Sequence, residues 1–185
     1  MHVAEAGRLS TTGNPIESFA SLGDKIYILR KLEKAIEIYD LATLKLSNVH
    51  DIPSLNRGEF MTACERHNLL YIADAHLYAI FRLTVEPDGT LKNLFIFGFT
   101  DSPTAISVNS NTNLLVAFHR AGVIGEYTRE GTLVRQISLQ KNIREPFHAI
   151  EISEGEYVVA HYGDGGDTHH VRCLCVVNRL GKIIA

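Results

Sequence analysis

Several residue types and patterns are scarce in this chain, and each absence excludes a class of protein. Tryptophan is missing, and the only cysteines are Cys64, Cys173 and Cys175. Three cysteines are too few, and odd in number, for a disulfide scaffold. No apolar run approaches the ~20 residues that span a bilayer, so we expect no membrane partner. The formal net charge of −3 gives no general attraction to nucleic acid or to anionic lipid.

The N-terminal residues are too polar for a secretory hydrophobic region and lack the arginine-rich character of a transit peptide. We therefore expect a cytoplasmic protein. Of its 185 residues, 45% are hydrophobic and 21% are charged, as in an ordinary globular chain. This length suits one domain or one repeat array with a substantial core.

A repeat organises most of the sequence. Tyr27, Tyr71, Leu115 and Tyr157 lie in similar apolar segments, at intervals of 44, 44 and 42 residues. These segments are KIYILRK, LLYIADA, LLVAFHR and EYVVAHYG. Each is preceded by one strand-like run and followed by two more, so one repeat contains four strands. The turn before the fourth strand contains Gly89, Gly131 or Gly181, and a hairpin needs a positive φ there. The first repeat has Ala42 instead, which indicates a different turn.

Four strands in about 43 residues, without a helical period, are typical of β-propeller blades. Leucine-rich repeats are shorter, and ankyrin or tetratricopeptide repeats would require helices. A β-sandwich with evenly spaced strands is the weaker alternative. We predict an all-β propeller of four blades, each of four antiparallel strands. The expected bounds are a lead segment at 1–15 and blades at about 16–49, 58–98, 104–140 and 147–185.

Over residues 16–185 the repeats resemble NHL-type propeller blades. Such blades open after a proline, as at Pro103 and Pro146, and have a small-residue second strand, as at Ala73-Asp74. They turn on Asp-Gly or Glu-Gly, as at Asp88-Gly89 and Glu130-Gly131. The resemblance implies a partial propeller, six-bladed when complete, that binds protein or RNA. Some similar propellers are lactonases or amidating lyases that hold a divalent metal in the central channel.

The stretch HYGDGGDTHHVRCLC, residues 161–175, could be a metal site or a long loop. Cys173 and Cys175 are separated by a single residue, whereas structural zinc sites favour two to four residues between ligands. On a strand, both thiols point to one face and suit the core between blades. We interpret the stretch as an expanded surface loop, and we predict no metal site and no cofactor.

Catalytic motifs are also missing. The sequence contains no Gly-x-Ser-x-Gly elbow, no His-Glu-x-x-His and no glycine-rich phosphate loop. Among the innermost strands, only Glu59 and His148 start near the expected channel mouth. We therefore predict no catalytic residues.

The loops between strands two and three of a blade, and those between blades, emerge on one face of a propeller. We call this the loop face. It is the expected partner-binding surface because such scaffolds present variable loops on a rigid frame. Its predicted residues are Arg30, Lys31, Arg57, Asp74, His76, His119, Arg120, Arg144, His161, His169 and His170.

Two functional hypotheses follow. The first is a non-catalytic scaffold that binds a protein partner, or RNA, through the loop face. The alternative is a metal-dependent hydrolase or lyase of the lactonase or amidating-lyase type. In either case we expect an open arc of blades, with further blades beyond residue 185. An arc exposes the apolar faces of its first and last blades, so this fragment is expected to self-associate.

Overall fold

The computed structural model describes residues 13–163 and 172–185. The chain is all-β in these residues, apart from one short 3-10 turn at Glu65–His67. The strands are β1 (Ile16–Leu22), β2 (Lys25–Arg30), β3 (Ala35–Asp40), β4 (Leu46–Asp51), β5 (Gly58–Cys64), β6 (Leu69–Asp74), β7 (Ala79–Val85), β8 (Leu91–Gly98), β9 (Pro103–Val108), β10 (Leu114–Phe118), β11 (Val123–Tyr127), β12 (Leu133–Ser138), β13 (Arg144–Ser153), β14 (Glu156–Tyr162) and β15 (Arg172–Asn178).

These strands form the four predicted propeller blades. Each blade is a meander of consecutive antiparallel strands, with sheet orders β1-β2-β3-β4, β5-β6-β7-β8, β9-β10-β11-β12 and β13-β14-β15. The fourth strand of blade 4 is reduced to a bridge between Val177 and Ile183. Two backbone hydrogen bonds support this bridge: the Val176 N–H donates to Ala185 O, and the Ile184 N–H donates to Val176 O.

The hairpin turns follow the glycine pattern of the sequence. Gly89, Gly131 and Gly181 have φ values of 83°, 83° and 72°. These values lie in the left-handed region, which glycine enters without steric cost. In blade 1 the left-handed residue is Leu44, with φ 53°. Asp40 stabilises that turn by accepting hydrogen bonds from the backbone N–H and hydroxyl of Thr43. The different turn expected at Ala42 is therefore confirmed.

Consecutive blades pack face to face. We call the face that contacts the following blade the forward face, and the opposite one the backward face. Three clusters of buried apolar side chains join blades 1 and 2, blades 2 and 3, and blades 3 and 4. Ile36, Ile80 and Ile124 are equivalent forward-face residues of blades 1, 2 and 3, and each is 0% exposed. The described residues contain no such cluster between blades 4 and 1.

The structure shifts the fourth repeat by one residue relative to the sequence pattern. That pattern places Tyr157 at the position of Leu115, whose side chain faces forward from blade 3. Tyr157 instead points backward, and its hydroxyl accepts a hydrogen bond from Arg135 of blade 3 at 2.7 Å. The equivalent position in blade 3 is Leu114, one residue earlier. Because side chains alternate along a strand, this one-residue difference moves the tyrosine to the opposite face.

No helix among the described residues has the length and apolarity to cross a membrane.

Candidate functional site: two clefts on the loop face

Two neighbouring clefts open on the loop face. The larger, about 640 Å³, lies between blades 3 and 4, and we call it the 3/4 cleft. The smaller, about 310 Å³, lies between blades 2 and 3 and is called the 2/3 cleft. His119 and Arg120 line both, because they follow β10 at the turn that separates the two clefts.

The turn after β10 is held in place by backbone contacts. Gly122, with φ 67°, donates its N–H to Phe118 O at 3.0 Å and closes the turn. Asp101, from the loop between blades 2 and 3, accepts the Ala121 N–H at 3.1 Å. These contacts connect the turn to the neighbouring loop. The wall that carries His119 and Arg120 is therefore fixed without a ligand.

The opposite wall of the 3/4 cleft is the loop between blades 3 and 4. Its Ile143 side chain is buried, and the Ile143 N–H donates to Gln140 O at 2.8 Å. This anchor leaves Lys141 and Arg144 exposed on the cleft rim.

Charge distinguishes the 3/4 cleft from the chain as a whole. Arg120, Lys141 and Arg144 line it, and Glu145 is the one carboxylate among the described residues of its lining. Glu145 Oε2 lies 3.5 Å from His119 Nε2, so the Glu145 carboxylate already contacts a side chain of the opposite wall. A chain of net charge −3 thus has a locally cationic cleft, which can accept carboxylate or phosphate groups of a ligand.

The 2/3 cleft is less charged and includes the exposed ring of Tyr78. Arg57, at the edge of this region, forms an ion pair with Glu59 at 3.1 Å. It also donates to His76 Nε2 at 3.3 Å. These contacts hold the cleft side chains in a mixed polar network.

Three of the residues predicted for partner binding are buried. Asp74 Oδ2 accepts the backbone N–H groups of Asn56 and Arg57, and its Oδ1 accepts those of His76 and Leu77. It therefore ties the strand-two-to-three turn of blade 2 to the loop that precedes blade 2. The buried Asp74 carboxylate therefore stabilises the loops of this face and is not itself exposed to a partner.

Arg30 and His161 are the other two buried residues. The Arg30 guanidinium pairs with Glu37 at 2.9 Å and donates to Asn14 O at 2.9 Å. The Nδ1 atom of His161 lies 3.0 Å from Tyr162 O. Both side chains are less than a tenth exposed, so we remove them from the binding surface. Lys31 is exposed on blade 1 but lines neither cleft. His169 and His170 lie outside the described residues.

Residues 164–171, which contain most of the predicted surface loop of blade 4, lie outside the described residues, and both cysteines lie on β15. Cys175 packs against the cluster between blades 3 and 4, and burial raises the pKa of its thiol. No group of three potential metal ligands converges within residues 13–163 and 172–185.

His148, a channel candidate in the sequence, packs its ring against Phe60 with the centroids 6.4 Å apart. Burial lowers the pKa of His148 below its ordinary value of 6.5. Because the unfolded chain binds this proton more readily, the free energy of unfolding should decrease as pH falls through and below that value. Urea unfolding at pH ~7 and ~5 should show this loss, and His148→Phe should reduce it.

The burial of His50 also lowers its pKa, so some pH dependence should remain in His148→Phe. An identical pH dependence in the parent and His148→Phe would contradict the role assigned to His148.

Comparisons with known proteins show the fold. No protein-family model matches the chain, and no curated protein sequence matches it. A hydrazine synthase from Kuenenia stuttgartiensis superposes on 100% of the chain with TM-score 0.72 and 13% identity. A streptogramin B lyase superposes on 90% with TM-score 0.66 and 13% identity. The computationally designed Ika4 protein superposes on 92% with TM-score 0.62 and 14% identity.

This chain is a β-propeller. The assignment rests on the four radially packed blades and on the propeller neighbours. The chain spans 52% of the hydrazine synthase chain and 56% of the lyase chain. At these identities, the likeness extends to the fold alone.

Sequence reasoning missed part of the cleft lining. Gln140, Glu145, Ser102 and Thr104 line the clefts but were not among the predicted binding residues. A signal was present for Glu145, since it directly follows Arg144 in a loop already assigned to this face. The pairing of Glu145 with His119 could not be predicted, because it depends on how blades 3 and 4 pack.

Proposed function

We propose that this propeller is a binding module that docks an acidic segment of a protein partner in the 3/4 cleft, with the 2/3 cleft as a secondary contact. The observation that carries the proposal is the cationic lining of the 3/4 cleft by Arg120, Lys141 and Arg144 in a chain of net negative charge. A volume of about 640 Å³ can hold several side chains of a peptide.

Preformed loops support this function. The contacts through Gly122, Asp101 and Ile143 fix both walls of the 3/4 cleft, so binding would cost little loop ordering.

A protein partner suits the clefts better than RNA. Single-stranded RNA is commonly held by stacking successive bases on several aromatic rings. Among the described residues that line the two clefts, Tyr78 is the one phenylalanine, tyrosine or tryptophan, and the imidazoles of His76 and His119 are the other rings. Glu59 and Glu145 would also repel a phosphate backbone, whereas a peptide can place neutral or basic groups beside them.

A fluorescent decaglutamate peptide is a direct probe of the 3/4 cleft. The triple variant Arg120→Glu/Lys141→Glu/Arg144→Glu should bind it at least ~10-fold more weakly than the parent. The reason is that three cationic side chains that attract the peptide become carboxylates that repel it. Fluorescence anisotropy measures this difference. Raising salt from ~50 to ~200 mM should also weaken parent binding, since exposed charges are screened.

The matched control changes the same number of charges on the opposite face. Arg66→Glu/Arg129→Glu/Arg179→Glu alters three exposed residues in turns at the other end of the blades. This variant should bind the peptide like the parent, apart from a small effect of net charge. Equal loss in both triple variants, or preference of the parent for labelled oligouridine over decaglutamate, would refute the proposal.

We place this activity in the cytoplasm. Cys64 is a buried free thiol in the structure, which is the usual state of cysteine in a reducing compartment.

A further inference from the structure

A third, smaller pocket lies beside the two clefts, and we call it the aromatic pocket. It has a volume of about 130 Å³, and the rings of Phe99, Phe118 and Tyr127 line it together with Asp101. Phe118 is 5% exposed, and Phe99 and Tyr127 are partly buried, so packing holds the three rings in place. Ala121 lines both this pocket and the 3/4 cleft, which places the pocket at the edge of the loop face.

The pocket forms where blade 3 has a glycine and blade 2 has a large side chain. Phe81 follows Ile80 in β7 and is 0% exposed in the cluster between blades 1 and 2. Gly125 follows Ile124, the equivalent of Ile80, in β11. A Cβ atom at Gly125 would overlap the Cε2 atom of Tyr127, so the missing side chain lets that ring lie across the strand. The space that a phenylalanine fills in one blade interface is therefore lined by rings in the next.

The three rings of the pocket are inclined to one another like the walls of a corner. Phe99 lies at 65° to Phe118 and at 74° to Tyr127, and Phe118 lies at 69° to Tyr127. Their centroids are 5.3, 5.0 and 6.2 Å apart, in the same order. A single cation in the pocket can therefore lie within ~6 Å of all three centroids, the range over which aromatic faces attract positive charge.

The charge of the pocket also favours a cation. Asp101 is the one charged residue among the described residues of its lining. The Asp101 carboxylate accepts the Ser102 N–H at 2.7 Å and the Ala121 N–H at 3.1 Å, and these contacts fix its position. The neighbouring 3/4 cleft is cationic. A positively charged group is therefore attracted to the aromatic pocket and repelled by the cleft beside it.

A cation without N–H groups suits this lining better than a primary ammonium group. A primary ammonium group has three N–H donors, and burying them among aromatic rings without acceptors is unfavourable. Both oxygens of Asp101 already accept backbone N–H groups, so the pocket supplies negative charge but few free acceptors. A trimethylammonium group retains the positive charge and places methyl groups against the rings.

We propose that the aromatic pocket binds the trimethylammonium group of a trimethylated lysine in a protein partner. Its volume of about 130 Å³ is well below the ~300–1,000 Å³ of sites for drug-sized ligands, so it suits one small head group. Because the pocket borders the loop face, the lysine side chain can leave it toward a surface on which a polypeptide lies. Recognition of the head group does not depend on peptide binding in the 3/4 cleft.

Isothermal titration calorimetry with three short peptides of neutral sequence tests the proposal. The peptides carry trimethyllysine, unmodified lysine, or the uncharged isostere in which a tert-butyl group replaces trimethylammonium. The trimethyllysine peptide should bind at least ~10-fold more tightly than either of the others, because only it combines the charge with a methyl surface. Free choline should bind more weakly than this peptide, since it lacks the lysine stem and backbone.

Variants of the protein locate the binding. Phe99→Leu should weaken binding of the trimethyllysine peptide at least ~10-fold, because one ring of the pocket is lost. Asp101→Asn should weaken it ~3-fold by removing the negative charge. Phe95→Leu is the matched control, since Phe95 is 42% exposed on β8 and does not line the pocket, and it should bind like the parent. Circular dichroism should show native β structure in every variant that is interpreted.

The peptide comparison needs no variant, so the proposal stays testable if Phe99→Leu fails to fold. Equal affinity for trimethyllysine and its uncharged isostere would overturn the proposal, as would the absence of binding to the parent. Undiminished binding by folded Phe99→Leu would place the peptide elsewhere and overturn it as well. Choline that binds as tightly as the peptide would overturn the assignment to lysine, because the stem and backbone would then contribute nothing.

Discussion

Replacing Asp74 with alanine is expected to lower the free energy of unfolding by about 3 kcal/mol, because four backbone N–H groups lose a buried charged acceptor. Two of these groups belong to the loop before blade 2, at Asn56 and Arg57, and two belong to the turn after β6, at His76 and Leu77. Asp74 itself is 0% exposed, so water cannot replace its oxygens without rearrangement of the loops.

Urea unfolding measures the loss, as a lower midpoint with an unchanged slope. Asp101→Ala is a suitable comparison. Its carboxylate performs a similar task, accepting the Ala121 and Ser102 N–H groups, but it is half-exposed. Water can therefore replace part of the Asp101 carboxylate as an acceptor, and Asp101→Ala should lower the free energy of unfolding by about 1 kcal/mol. An Asp74→Ala variant as stable as Asp101→Ala would show that the four hydrogen bonds accepted by Asp74 do not stabilise the loop face.

Charge-reversal variants should show that Arg30 stabilises the fold, whereas the cationic cleft residues contribute little to stability. Arg30→Glu is expected to cost about 4 kcal/mol, because it removes a buried ion pair and places a second carboxylate beside Glu37. Arg120→Glu should change stability by no more than about 0.5 kcal/mol, since Arg120 is exposed on the cleft rim.

Thermal unfolding followed by circular dichroism compares the two reversals. At this chain length, ~4 kcal/mol corresponds to a decrease of roughly 10 °C in Tm. Arg30→Lys is a useful intermediate, because it retains the charge but cannot reproduce the hydrogen bonds to both Glu37 and Asn14. Equal melting temperatures for Arg30→Glu and Arg120→Glu would mean that Arg30 is not a structural residue.

The repeat made the fold predictable. Four strands per repeat, with glycine at matching turns, are local properties of the sequence, and they specify a blade before any long-range contact is known. Gly89, Gly131 and Gly181 were assigned to turns on this basis, and all three have positive φ. The recurring continuous apolar segments likewise identified the strands that are buried on both faces, such as β6 and β10.

The candidate site was less predictable, because sequence position does not reveal burial. Arg30, Asp74 and His161 lie at the ends of the second strands of their blades, whereas Arg120 follows such a strand, and their charge or polarity made them equally plausible contacts. Their different roles depend on partners distant in sequence, such as Asn14 O for Arg30 and the Asn56 N–H for Asp74. Tyr157 shows the same limit, since a spacing that differs by one residue moved it to the other face of the sheet.

Backbone amide shifts during titration with the decaglutamate peptide test the proposed binding site, because they locate the bound peptide on the propeller. Saturable shifts are expected in residues 119–122 and 139–145, the two walls of the 3/4 cleft. Residues 65–68 and 128–131, in turns on the opposite face, should remain unchanged. Shifts confined to those opposite turns, or no saturable shift at all, would contradict the assignment of the loop-face clefts as the binding site.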